Sequence, residues 1–166
     1  MNERGRNLLG ALAIAITDDI DQRMTAPDLP RGSAAAAVVS IDAYDMPSID
    51  MLSRVLELTH SSTVRLVDRL QNDGLVDRLK GKGQRSVHLC LTASGRRVLE
   101  RLHAARRSAL ERHLSTLTPQ EQEALFGLVE KMLALPRQAD EANHVCRFCD
   151  TSTCPADVCP VDCTAD

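Results

Sequence analysis

Five cysteines crowd the end of the chain, Cys146, Cys149, Cys154, Cys159 and Cys163, in the order C-x2-C-x4-C-x4-C-x3-C. A Cys-x2-Cys loop lets two thiolates face one ion. The next two cysteines are close enough in sequence to complete a four-sulfur site without help from the rest of the fold. Cys146, Cys149, Cys154 and Cys159 are therefore the expected ligands. Cys163 would be spare, a substitute or a resolving thiol, and His144, two before Cys146, could replace one thiolate. Four thiolates suit an iron–sulfur cluster or a tetrahedral Zn²⁺, and spacing alone does not fix the metal. A bare thiol switch needs exposed cysteines of low pKa, and the neighbouring Asp150, Asp157 and Asp162 work against that.

A second stretch with chemical content is 59–95, THSSTVRLVDRLQNDGLVDRLKGKGQRSVHLCLTASG. Thr59 or a neighbouring serine can cap a helix start. Thr63, Leu66, Val67 and Leu70 then recur at helical spacing as one buried stripe, leaving Ser61, Ser62, Arg65, Asp68 and Arg69 on the other face. Gly74 suits the left-handed residue that ends a helix. Residues 75–79 and 86–91 read as two strands around a glycine-containing turn. Lys80, Lys82 and Arg85 make that turn basic enough to lie against a polyanion. Arg65 and Arg69 can reach phosphate or a guanine edge. Ser61, Ser62 and Thr63 stand at the helix start, where hydroxyls and free N–H groups meet phosphate. Arg65 and Arg85 are the leading contacts, and double-stranded DNA is the expected partner.

The text STVRLVDRLQNDGLVDR followed by QRSVHLCLTASG resembles the winged helix-turn-helix of the multiple-antibiotic-resistance regulator (MarR) family, and the layout up to about residue 136 is similar. The resemblance implies a mainly α fold with a small β-hairpin wing and a helical dimerisation region. It also implies a homodimer on DNA, with the wing carrying Lys80, Lys82 and Arg85 near the flanking minor groove. One departure is Gly83, which stands two before Arg85 where that family usually carries an acidic residue. A short cysteine tail on a dimeric regulator is similar in logic, though not in sequence, to the superoxide-response regulator with its [2Fe–2S] cluster. That likeness favours an iron–sulfur cluster here, with Zn²⁺ next. Two other readings stay open. One is the same regulator answering a small aromatic effector, with a structural zinc tail. The other is a thiol redox or metal-handling protein using the CxxC, although no thioredoxin-like pattern surrounds it.

The elements that must position these residues are helices. The chain has 166 residues, 2% aromatics and no Trp, so its core must be aliphatic. Helices are expected at about 5–25, 33–44, 48–58, 60–73, 93–116 and 118–135. Those at 5–25, 93–116 and 118–135 carry broad apolar faces that favour a two-fold dimer. The domain division expected is 1–136 as the winged-helix body, with DNA-reading region 48–91, and 137–166 as the tail. The formal charge of −3 is unevenly spread. Residues 60–101 hold nine basic and four acidic side chains, whereas 139–166 hold six acidic and one basic. A basic reading module is thus joined to an acidic tail. No apolar run reaches the ~20 residues that span a bilayer, and no catalytic signature appears. A non-enzymatic, cytoplasmic DNA-binding protein is expected. Chain order alone would route any signal from the tail through the last helix of the dimer interface.

Overall fold

Side-chain caps start four of the long or functional helices where the sequence places a hydroxyl. The computed structural model describes residues 2–26, 29–80, 87–154 and 156–161. Its order is α1 (Glu3–Arg23), α2 (Ser33–Ala43), α3 (Ile49–Val55), α4 (His60–Asn72), β1 (Val76–Lys80), β2 (Val87–Leu91), α5 (Ala93–Leu114), α6 (Pro119–Leu133) and α7 (Ala139–Val145). Ser48 accepts from the Met51 N–H, Thr59 from Ser62 and Thr92 from Gly95. Thr118 and Glu121 form a reciprocal capping box, with Pro119 at the first helical position. The result is a mainly α winged helix-turn-helix with a two-stranded antiparallel wing.

The core is built around α2. Ala35 through Ile41 are all buried, so this helix is enclosed on every side along that run, as befits one packed at a centre. Leu52 and Leu56 of the α3 region, Leu66, Val67 and Leu70 of α4, Val76, Leu89 and Leu91 of the wing, and Val98, Leu99 and Leu102 of α5 close around it. The wing pairs Val76 with Leu91, Arg78 with Leu89 and Lys80 with Val87. Its second strand is also tied to the segment before α3, where the Leu89 N–H donates to the Pro47 carbonyl at 3.0 Å. Helix α1 lies along α5, held in part by Arg112 on Asp19 at 3.1 Å.

Helices α1 and α6 have no buried residue. Leu8, Leu9, Leu12 and Ile14 on α1, and Phe126, Leu128, Val129 and Met132 on α6, are exposed in the single chain. Helix α3 ends at Val55, earlier than the periodicity suggests, because Glu57 turns left-handed with φ 53°. Leu58 N–H then closes onto the Ser53 carbonyl and Glu57 N–H onto the Arg54 carbonyl, a Schellman ending. The sequence also gives no sign of α7, which packs on α3. No helix among the described residues is long and apolar enough to cross a membrane.

One close approach fixes the junction between wing and α5. A Cβ built at Gly95 would lie 2.1 Å from the Leu75 carbonyl oxygen. Gly127 of α6, by contrast, has nothing within 4 Å of such an atom. Gly95→Ala should destabilise the chain by about 1–3 kcal/mol through overpacking. Gly127→Ala should be neutral or stabilising by up to about 1 kcal/mol through helix propensity. Urea melts of the two variants check this, and equal midpoints would contradict the packing described.

Candidate functional site

The outward face of α4 is set by its inward one. Thr63, Leu66, Val67 and Leu70 are buried, so helical geometry turns Ser61, Arg65, Asp68, Arg69 and Asn72 away from the core. Thr59 begins the helix. Its Oγ1 accepts from the Ser62 N–H at 3.2 Å, and its hydroxyl donates to Ser62 Oγ at 2.8 Å. Ser61 is exposed, with its Oγ 3.3 Å from Thr59 Oγ1. Thr63 corrects the sequence expectation. It is 0% exposed and its hydroxyl donates to the Thr59 carbonyl at 3.1 Å. Its place in the buried stripe removes it from the face that can meet DNA.

The charge on that face is also decided locally. Arg78 of β1 reaches back to α4, with Nη2 2.7 Å from Asp68 Oδ1 and Nη1 donating to Gln71 Oε1 at 2.9 Å. The one acidic side chain of the face is thereby neutralised. Arg65 and Arg69 remain exposed, one turn apart. His60 faces α3 instead, with its Nδ1 2.7 Å from Asp50 Oδ1. Lys80 is exposed at the end of β1. Lys82 and Arg85, the other two wing cations, lie outside the described residues, as does Cys163.

The tail does not trail from α6. Helix α7 lays Ala142 and Asn143 against the reading lobe, both buried. The Tyr44 hydroxyl donates to Asn143 Oδ1 at 3.0 Å. His144 Nδ1 lies 2.9 Å from the Val55 carbonyl, so that nitrogen carries the proton. Phe148 packs on the main core, with the Arg147 guanidinium 5.3 Å from its ring centre. A cavity of about 480 Å³ opens between α1, α2, α5 and this tail, lined by Ile20, Ala36, Leu56, Arg106, Arg147 and Phe148 among others.

Cys146 caps the end of α7, and a tight turn returns the Cys149 N–H to its carbonyl at 2.8 Å. The four described tail cysteines are half-buried and free of disulfides. They stand as two hydrogen-bonded pairs, Cys146 with Cys149 and Cys154 with Cys159. Among the described residues no three His, Cys, Asp or Glu side chains converge on a point that would hold a metal ion. The Cys146 thiol donating to Cys149, aided by the Arg106 charge, brings the Cys149 pKa down to about 6 against the opposing effects of burial and Asp150. Burial, then the neighbouring Cys159, pushes the Cys154 thiol up. The acidic surroundings thus fail to keep every thiol protonated, because the Cys146 thiol donates to Cys149 and Arg106 of α5 adds its charge. Periodicity puts Arg106 on the exposed side of that helix. It is half-buried instead, since the tail folds over it, and no local pattern in the sequence signals that.

A thiol with pKa near 6 is mostly thiolate at pH 7, and the thiolate is the reactive form. In reduced, metal-free protein, iodoacetamide labelling of Cys149 should stay level from about pH 8 down to about pH 7, and fall as the pH drops through 6. Cys154 should label only in the alkaline range. Peptide mass spectrometry across the pH series checks this, and parallel profiles for the two cysteines would contradict it.

No family model and no curated protein matches the chain. Solved structures do. A transcriptional regulator of the MarR family from Silicibacter pomeroyi is 32% identical, with 80% of this chain and 90% of that one aligned at a TM-score of 0.59. Wild-type MarR from E. coli, in its apo form, is 23% identical over 82% of this chain and 99% of that chain, with a TM-score of 0.64. A mutant MepR from S. aureus bound to an oligodeoxyribonucleotide is 19% identical over 78% and 95%, with a TM-score of 0.61. Each of the three alignments leaves roughly a fifth of this chain uncovered. With the buried stripe of α4, the antiparallel wing and the Silicibacter pomeroyi protein in agreement, the chain belongs to the MarR family of transcriptional regulators.

Proposed function

We propose that the chain is a homodimeric, DNA-binding repressor of an inverted-repeat site, with a C-terminal cysteine site that takes up a metal centre. The observation that carries the DNA reading is the polarity of α4. Its inner face is fully committed to the core, and its outer face offers Ser61, Arg65 and Arg69 with Asp68 already paired to Arg78. A helix of this kind fits the major groove. A MepR structure bound to an oligodeoxyribonucleotide shares the fold.

Dimerisation is supported by the exposed apolar side chains of α1 and α6, which a lone chain has nothing to cover with. A two-fold axis through α1, α5 and α6 would present two copies of α4 about 34 Å apart, one turn of B-form DNA. Lys80, Lys82 and Arg85 would then place each wing beside the flanking minor groove. Occupancy of an operator by such a dimer would exclude other proteins from it, which is the basis of the repressor reading.

For the tail, the proposal is a four-thiolate site of Cys146, Cys149, Cys154 and Cys159, with Cys163 as a further candidate. Two preformed thiol pairs beside Arg106 supply the donors and a charge that favours thiolate. An iron–sulfur cluster is the first choice of occupant and Zn²⁺ the second, because both accept four thiolates. The site would report iron, redox state or metal supply to the reading lobe. A second reading is favoured by the cavity of about 480 Å³. Its lining joins Ile20, Ala36, Leu56 and Phe148 with Asp21, Arg106 and Arg147, a mixed surface that would suit a small aromatic molecule, and in that case the tail would be a structural zinc clasp.

Arg85→Ala and Arg65→Ala should each weaken operator binding by more than about 1 kcal/mol, and Arg85→Ala should lower the salt slope by about 1 if it meets a phosphate. Fluorescence anisotropy over a salt series measures both, and an unchanged slope would remove Arg85 from the interface. Anaerobically purified protein should be brown, with visible absorbance lost in air. Colourless protein carrying stoichiometric zinc would transfer the reading to Zn²⁺.

A further inference from the structure

Helix α3 ends inside the molecule, and a helix leaves its final four carbonyls without partners of its own. Three of the four are met within the turn that follows: the Leu56 N–H donates to Leu52, Glu57 to Arg54 and Leu58 to Ser53. The fourth belongs to Val55, a residue with no exposed surface. Its carbonyl is met from far along the chain, by His144 Nδ1 of α7 at 2.9 Å. The other imidazole nitrogen lies 3.7 Å from Glu57 Oε2, and Glu57 makes the turn in a left-handed conformation that non-glycine residues rarely adopt. Thr59, two residues on, caps α4. Three residues, 56–58, thus set the angle at which α4 leaves α3, and one imidazole touches both ends of the setting. Helix α7 is itself fastened elsewhere. Ala142 and Asn143 are buried, and Asn143 accepts from the hydroxyl of Tyr44 at the end of α2. The Arg54–Asp140 contact, 4.0 Å and more than half exposed, adds little.

We infer that α7 braces the DNA-reading unit, and that His144 is a positioning residue for sequence-specific binding, acting on α4 through the α3–α4 turn. The inference rests on α4 being the helix that reads DNA, as proposed above, and asks nothing of the cysteines. Because α7 is tied to α2, the helix at the centre of the core, it holds the end of α3 to a fixed reference. Removing the imidazole leaves the Val55 carbonyl to water or to a re-paired turn, at the cost that attends a buried acceptor stripped of its donor. Either outcome releases α3 from α7. Contacts to phosphate position a protein on the duplex, whereas contacts to base edges carry the sequence information. A less firmly held α4 therefore loses discrimination between sequences before it loses attraction to DNA. His144 is in this sense a part of the helix-turn-helix that the chain supplies from outside it.

The test uses the full chain and two duplexes, one selected by the wild-type protein from a randomised pool and a scrambled control of the same composition. His144→Ala should weaken binding to the selected duplex at least about fivefold, and to the control less than about twofold, with the salt slope on the control unchanged. Amide exchange at residues 56–60 should speed up. His144→Asn, which keeps an N–H donor on a short side chain, should restore much of the selected-duplex affinity and of the protection. Should His144→Ala not stay folded, Tyr44→Phe, which releases the other end of α7, decides the matter by the same comparison of duplexes. Unchanged preference for the selected duplex overturns the brace. So does an equal loss on both duplexes, which is the mark of general destabilisation, or a His144→Asn protein as impaired as His144→Ala. A wild type that enriches no duplex at all overturns the DNA reading of α4 and the brace with it, an outcome seen before any variant is compared.

Discussion

Helix α2 is enclosed on all sides, and the geometry of the reading lobe follows from that. Ala35, Ala36 and Ala37 present almost no side chain, so α3, β2 and α5 approach its backbone closely, and α4 packs in turn on α3 and β1. Interiors pack at the density of organic crystals. Elements seated at such short range have little freedom to tilt independently. The stance of α4 is thus set from behind, by what it packs on. Its four buried residues have one mating surface, and the direction in which Arg65 and Arg69 point is a consequence of that surface.

Electrostatics then divides the molecule into two regions of opposite sign. The described start of the acidic tail is docked on the body of the molecule. Hydrogen bonds to Val55 and from Tyr44 hold α7 against α3 and the end of α2. Asp68 is dealt with in the same local way, by an arginine from the wing. Pairing of Asp68 with Arg78 leaves Arg65 and Arg69 as the charges of the outer face of α4, although the chain as a whole carries a net charge of −3.

The parts of the fold that were legible in the sequence are those governed by neighbours within a few residues. The stripe of α4, the hydroxyl caps at Thr59, Thr92 and Thr118, the left-handed Gly74 after α4 and the alternation of β2 all stand as their spacing indicates. Thr63 shows the limit of local reasoning. As a polar residue at a helix start it resembles a ligand contact, yet its β-branched methyl side belongs to the stripe. The long-range features were not legible. Helix α7 is seven residues long, too short to announce itself by periodicity. Arg106 and His144 owe their surroundings to a tail that folds back over α5 and α3. That fold-back depends on a matched surface, a property no spacing rule encodes.

The contact between Gly95 and Leu75 has a mechanical consequence. Because α5 meets the foot of the hairpin backbone to backbone, with Thr92 Oγ1 also donating to the Gly74 carbonyl at 2.7 Å, there is no compliant side chain between them to absorb displacement. The long helix and the foot of the flap behave as a single crank. A rotation of α5 would therefore be passed on to the foot of the hairpin at Gly74 and Leu75 rather than absorbed between them. Rigidity at one glycine thereby ties the movement of the long helix to that of the strands it meets.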